Sequence, residues 1–350
     1  MRTADTVLDA VREAVLRLEP YHCAREQALD GILLDANENP YPRTHDGVLL
    51  NRYPDPYQRA LRTALSRYVG LGSDWLLAGN GSDEVLDWVF KVFDLRPGVA
   101  VAEPTYGMYR VLADLYDVPV ITIGLDEGFR LNANRFLQQA GPSRLAFLCS
   151  PNNPTGNLLD SGQIRQILDE WSGIVVLDEA YIEFSAGSSL IRWVEQYPNL
   201  LVLRTLSKAF GRAGLRLGYV AAHPDLIACF LKVKAPYNLS AWTQAEGFRA
   251  LEDLTGMLRQ VRTIVAERDR LLEELRSTAG VLEVFPSDAN FILFRCRDAT
   301  RVWQALFDDG VIVRNRSSVK GLENCIRVSV GTGEENRTFL ERLRFHLERL

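Results

Sequence analysis

The chain has 350 residues, 47% of them hydrophobic and 24% charged, the balance of an ordinary soluble globular protein with room for one large domain and a smaller one. A formal charge of −5 gives no reason to expect nucleic acid or a membrane surface as partner, so an anionic substrate would have to be drawn by local arginines. The five cysteines form no CxxC pair and the four histidines no HxH or HExxH cluster, which argues for reduced thiols in a cytoplasmic setting and against a metal site.

In chain order, the spacing of Val7, Leu8, Val11, Val15 and Leu18 predicts an amphipathic helix over about 4–18. Asp5, Asp9, Arg12 and Glu13 interrupt its apolar character, which is not the pattern of a secretion signal, and no apolar run further on could span a bilayer. From Asp35 to Pro56 the chain is polar and rich in proline, the signature of a loop that closes over something. Strands are expected at Val99–Ala102, Val118–Ile123, Leu145–Cys149, Ile174–Leu177, Leu200–Leu203 and Leu217–Ala221, with helices near 57–69, 83–94, 106–116, 160–171 and 188–196. Continuous Val/Ile/Leu strands alternating with helices predict an α/β fold, a mostly parallel doubly wound sheet flanked by helices. Beyond Ser240 a long helical pattern runs to about 278 with Gly256 as a break. Strands near 281–285, 290–295, 311–314 and 325–330, then a helix from about 333, make a smaller α+β domain. The expected division is an arm and helix over 1–45 packing with the smaller domain, a large domain over 46–250, and the smaller one over 251–350.

The chemistry concentrates at strand ends, where ligands bind in such sheets. The run Thr205-Leu-Ser-Lys208-Ala-Phe-Gly211 puts one lysine after a buried strand, among small and hydroxyl residues. Burial lowers a lysine's pKa, as an amine that condenses with an aldehyde requires. Arg216, with Thr205 and Ser207, supplies donors for a phosphate, and Asn80-Gly81-Ser82-Asp83 opens a helix whose N-terminus favours an anion. A condensing lysine beside a phosphate cup points to pyridoxal 5'-phosphate. Asp178 closes an apolar strand, costly for a carboxylate unless it meets a cation such as a protonated pyridine nitrogen. Tyr181 and Asn153 would then serve the ring's phenolic oxygen, and Tyr106 would lie against the ring's face. Singly these have plain readings: a helix cap, a turn, a packed aromatic. Their common order along successive strand ends is what joins them to one ligand.

The segments Asn153-Pro-Thr-Gly156, Asp178-Glu-Ala-Tyr181 and Ser207-Lys-Ala-Phe-Gly211, with Arg216, resemble those of the fold-type I pyridoxal-phosphate aminotransferases. Leu34-Asp-Ala-Asn-Glu-Asn-Pro-Tyr41, Arg52-Tyr-Pro-Asp55, Pro104-Thr-Tyr-Gly-Met-Tyr109 and Cys325-Ile-Arg-Val-Ser-Val-Gly331 narrow the resemblance to the histidinol-phosphate aminotransferase family, over nearly the whole chain. The resemblance implies that Lys208 joins the cofactor, Asp178 meets its pyridine nitrogen, Asn153 and Tyr181 its phenolic oxygen, and Ser82, Asp83, Thr205, Ser207 and Arg216 its phosphate. It implies a homodimer in which Tyr53 reaches the neighbour's cofactor phosphate, Arg327 and Arg314 grip the substrate's acidic group, and Tyr21 and Asn37 close over it. The reaction it implies is transamination of L-histidinol phosphate with 2-oxoglutarate, giving imidazole-acetol phosphate and L-glutamate. A broader aromatic aminotransferase or an amino-acid-phosphate decarboxylase of the same fold would keep every cofactor residue. A non-catalytic phosphate-binding module is disfavoured, since the chain has neither GxGxxG nor a Walker loop and such a module has no use for Lys208.

Overall fold

A computed structural model of the chain describes residues 7–26 and 29–349. Its centre is a seven-stranded sheet: β1 (Leu76–Asn80), β2 (Val99–Glu103), β3 (Val120–Gly124), β4 (Leu145–Cys149), β5 (Ile174–Asp178), β6 (Leu200–Thr205) and β7 (Leu217–Ala221). The order across the sheet is β1-β7-β6-β5-β4-β2-β3, and β7 alone runs against the rest, antiparallel to both β1 and β6. The strands are apolar on both faces because both faces are covered. Ile174 and Val176 point into one core and Val175 and Leu177 into the other, the alternation of a pleated strand.

Helices α1 (Glu13–Arg17), α2 (Arg59–Val69), α3 (Gly81–Val92), α4 (Met108–Leu115), α5 (Ala133–Gln139), α6 (Ser161–Glu170), α7 (Pro224–Val233) and α8 (Ala241–Glu252) supply the two layers. Leu61, Phe136, Ile167 and Leu251 bring α2, α5, α6 and α8 to one face, and Val15, Trp88, Tyr109 and Phe230 bring α1, α3, α4 and α7 to the other. Helix α9 (Leu254–Arg276) leads to a second sheet of β8 (Val281–Val284), β9 (Phe291–Cys296), β10 (Arg314–Asn315) and β11 (Cys325–Ser329), all antiparallel in the order β8-β9-β11-β10. Helices α10 (Ala299–Asp308) and α11 (Gly333–Leu347) pack on it through Val302, Leu306, Phe339 and Leu343.

Several local expectations are corrected. The N-terminal helix, part of which lies outside the described residues, is interrupted where Val11 pairs its backbone with Phe93, leaving only α1 beyond it. The described part of the arm reaches the larger sheet. Val7, Val11 and Val15 enter the large sheet's core beside Trp88, Phe93 and Phe230, and Lys232 Nζ donates to the carbonyls of Val15 and Leu16. The long pattern after Ser240 breaks at Asp253, whose carboxylate accepts the Gly256 N–H at 2.9 Å and starts α9, so Gly256 lies inside a helix. The segment 188–196 forms only a 3-10 turn at Ile191–Glu195. Strand β1 and helices α5, α7 and α10 appear where no element was expected.

Candidate active site

The carboxyl ends of β1, β2, β4, β5 and β6 open on a cavity of about 250 Å³, closed on its far side by β10 and β11 of the smaller sheet. Gly81, Ser82, Asp83, Tyr106, Asn153, Asp178, Tyr181, Thr205, Ser207, Lys208, Arg216, Arg314 and Arg327 all line it, so residues scattered over 247 positions of sequence meet at one place. Tyr21, Asn37 and Tyr53 do not line it. Tyr21 is 76% exposed; Asn37 and Tyr53 border a separate cleft, where Tyr53 stacks on Tyr237 with ring centres 4.4 Å apart. A larger cavity of about 1060 Å³ lies behind the strand ends, lined by Leu177 and Glu179, but it holds none of the predicted residues.

Asp178 ends β5 fully buried, and burial pushes its carboxyl up from the usual range. It accepts the Tyr109 hydroxyl at 2.8 Å and the Ala180 N–H at 3.0 Å, neither of which brings a positive charge. Lys208 follows β6, its Nζ 5.6 Å from the Tyr181 ring centre. Burial, then the charge of Arg327, lowers its pKa below the ordinary lysine value, partly opposed by Asp178. Tyr181 and Asn153 share a bond of 3.4 Å, and the Asn153 carbonyl accepts Arg327 Nη1 at 2.5 Å.

Helix α3 presents its N-terminus to the cavity; Glu84 accepts the Asn80 N–H at 2.5 Å and the Arg216 carbonyl the Gly81 N–H at 2.8 Å, while the Asn80 side chain caps none of the N–H groups that follow. Arg216 stands beside it in the left-handed backbone region (φ 54°), a conformation that persists in a non-glycine residue only where its surroundings impose it. Two glycines make the close approach possible. A Cβ at Gly81, itself at φ 74°, would sit 2.8 Å from Arg216 Nη2, and one at Gly218 would sit 2.3 Å from the Ser82 nitrogen. Asp83 pairs with Arg216 at 3.2 Å and accepts the Tyr106 hydroxyl at 3.2 Å. A carboxylate has no proton to offer a phosphate, so its side chain positions these two groups while its backbone belongs to the helix end. The Thr205 and Ser207 hydroxyls lie 3.0 Å apart on the same wall.

The sequence profile described as "Aminotransferase class I and II" matches residues 16–343. The chain belongs to this family. It is 41% identical over 345 residues to the histidinol-phosphate aminotransferase of Bacteroides thetaiotaomicron, covering 97% of this chain and 98% of that one. It is 42% identical to the enzyme of the same name from Parabacteroides distasonis, over 96% and 97% of the two chains. Among solved structures, the histidinol-phosphate aminotransferase of Clostridium acetobutylicum superposes with a TM-score of 0.81 at 25% identity, over 86% of this chain and 92% of that one. The cofactor of this aminotransferase is pyridoxal 5'-phosphate, and the cavity fits it on its own terms. A buried carboxylate hydrogen-bonded only by neutral donors, a depressed lysine and a helix N-terminus beside an arginine correspond to the ring nitrogen, the aldehyde and the phosphate.

The residue list drawn from sequence missed four positions. Tyr109 holds Asp178 from within the helix it belongs to, and its motif was visible, though nothing marked its hydroxyl as pointing inward. Cys149 ends β4 beside Asp178, its thiol pushed up by burial and so kept neutral. Gly218 reads in sequence as one more strand residue. Arg316, two residues beyond Arg314, lines the cavity as well.

Proposed function

We propose that this aminotransferase transfers the amino group of L-histidinol phosphate to 2-oxoglutarate, giving imidazole-acetol phosphate and L-glutamate. The observation that carries the reading is the near full-length match to relatives of that activity. The cavity's charge agrees with it: Lys208, Arg216, Arg314, Arg316 and Arg327 face only Asp83 and Asp178, in a chain whose overall charge is negative.

When bound, pyridoxal 5'-phosphate supplies an aldehyde that takes up the amino group and a ring that accepts the electrons left when a Cα–H bond breaks. Asp178 holds the ring nitrogen protonated, a role open to it because its own hydrogen-bond donors are neutral. Asn153 and Tyr181 bond the phenolic oxygen, while the start of α3, Thr205, Ser207 and Arg216 bind the phosphate. Lys208 Nζ, its pKa lowered by burial, removes the substrate's Cα proton and returns a proton on the other side of the exchange. Arg314 and Arg327 bind the substrate's anionic group, and paired guanidiniums serve a phosphate ester in one half-reaction and a carboxylate in the other.

The enzyme acts as a homodimer in the cytoplasm, with Tyr53 of each subunit reaching the other's site and Tyr21 and Asn37 closing over the substrate. Support comes from the arm itself, where Tyr53 lies outside its own subunit's cavity and Ile32 and Leu34 are 92% and 85% exposed. No helix among the described residues is long and apolar enough to cross a membrane.

An amino-donor panel with 2-oxoglutarate as acceptor tests the substrate. L-histidinol phosphate should give glutamate with a kcat/KM well above those of phenylalanine and tyrosine. Carbon dioxide release from a phosphorylated amino acid, without glutamate, would replace the transaminase by the decarboxylase.

A further inference from the structure

We propose that Arg316 is a specificity-determining residue, the third guanidinium of a cradle that it forms with Arg314 and Arg327 for a phosphomonoester dianion on the substrate. The inference rests on the substrate reading above and adds to it a residue and a charge.

Its first basis is register. Arg314 on β10 lies directly opposite Arg327 on β11, and the strand continues so that the Arg316 N–H bonds the Cys325 carbonyl at 2.8 Å. Period-2 alternation puts Arg316 on the same face as Arg314. Like charges facing across a ladder destabilise a sheet, and a third beside them adds to the repulsion. Burial and the charge of Arg314 hold Arg316 below the ordinary arginine range, and burial and the charge of Arg316 do the same to Arg327.

The second basis is the absence of compensation. Among the described residues none of these arginines is paired with a carboxylate; Arg327 bonds the neutral amide of Asn153, and the side chains of Arg314 and Arg316 make no hydrogen bond. An unpaired arginine would ordinarily turn to water. Arg316 instead lines the cavity half-buried, with its Nε shut off from solvent and without a partner, as is the Nε of Arg327.

Stoichiometry then selects the ligand. A carboxylate carries one charge and two oxygens, which one guanidinium fork satisfies. A phosphomonoester carries nearly two charges and three free oxygens at neutral pH. Arg216, Asp83 and the start of α3 already form the cofactor's phosphate cup, so the arginines of the smaller sheet are left for the substrate.

The test uses the cofactor-loaded enzyme as wild type, Arg316→Gln and Arg316→Lys. Binding of inorganic phosphate is followed by calorimetry, and the half-reactions with L-histidinol phosphate and with L-glutamate by rapid mixing. Loss of a charge-assisted contact should weaken phosphate binding and lower kcat/KM for L-histidinol phosphate by about 10–100-fold in Arg316→Gln, with less than about threefold change for L-glutamate. Arg316→Lys, which keeps the charge but not the planar fork, should fall between, and it preserves the comparison if the glutamine variant folds poorly. Equal losses for both donors, or no loss for either, would overturn the proposal. Wild-type enzyme that binds phosphate through Arg316 but does not turn over L-histidinol phosphate would remove the substrate assignment and leave the anion cradle standing.

Discussion

Asp178 and Arg327 are each held at a cost that only a ligand relieves, which makes their substitutions informative. Burial raises the pKa of Asp178, so ionising it opposes folding of the cofactor-free protein. In Asp178→Asn the side-chain oxygen can accept the Ala180 N–H while the amide NH2 donates to the Tyr109 hydroxyl oxygen, so both contacts survive. The variant should therefore leave the cofactor-free melting temperature unchanged or higher while cofactor affinity, measured by dialysis, falls by about 10²-fold or more from the loss of a buried ion pair. A lower melting temperature with normal affinity would show that the carboxylate is structural. Arg327→Ala should lower kcat/KM for both substrates, by roughly 2–5 kcal/mol if the contact is a buried ionic one, and unchanged kinetics would remove it from the site. Most of these residues were legible in sequence because each belongs to a motif at a strand end. Arg316 was not. A second arginine two places along a strand looks like any exposed charge until the ladder shows which face it shares.

At the scale of elements, the six strands expected from continuous Val/Ile/Leu runs are all present, because burial on both faces demands that composition. Strand β1 was missed since only Leu76, Leu77 and Ala78 precede its Gly79-Asn80 end, too little apolar sequence to register. Helix α5 is 7 residues long and mostly polar, held by the Asn132 cap rather than by an apolar stripe. The junction of β1 and α3 is the most constrained element of the site. Gly81→Ala places a Cβ in the left-handed region and against Arg216, so it should destabilise the fold by roughly 1–2 kcal/mol. It should also weaken the cofactor by about tenfold, as expected for about 1.4 kcal/mol of lost phosphate contact. Denaturant unfolding and cofactor titration measure the two effects, and an alanine variant with wild-type values in both would show that the junction has slack.

For the molecule as a whole, the order of strand and helix patterns was enough to read the α/β class and the second, smaller sheet, whereas the placing of the N-terminal arm was not. Periodicity shows that Val7, Val11 and Val15 share a face, but not which core receives it. The pH dependence of stability is also a property of the assembled fold. Glu179, behind the site, bonds the Ser189 hydroxyl and the Leu190 N–H, and burial pushes its carboxyl up from 4.5 to about 7. A folded pKa above the unfolded one means a contribution present in full below pH 4.5 and lost as pH rises through about 7. Glu179→Gln, which does not ionise and can accept the Leu190 N–H while donating to the Ser189 hydroxyl oxygen, should raise the melting temperature at pH 8 and leave it nearly unchanged at pH 5. The same shift at both values would show that the charge on Glu179 is not what limits stability.

The central claim is that the amine at position 208 is where the cofactor is joined. Borohydride reduction of the loaded enzyme followed by proteolysis and mass mapping tests it directly. The cofactor-derived mass should appear on the peptide spanning Thr205 to Arg212 and vanish in Lys208→Ala, together with turnover. The same mass on another lysine, or on none, would contradict the account.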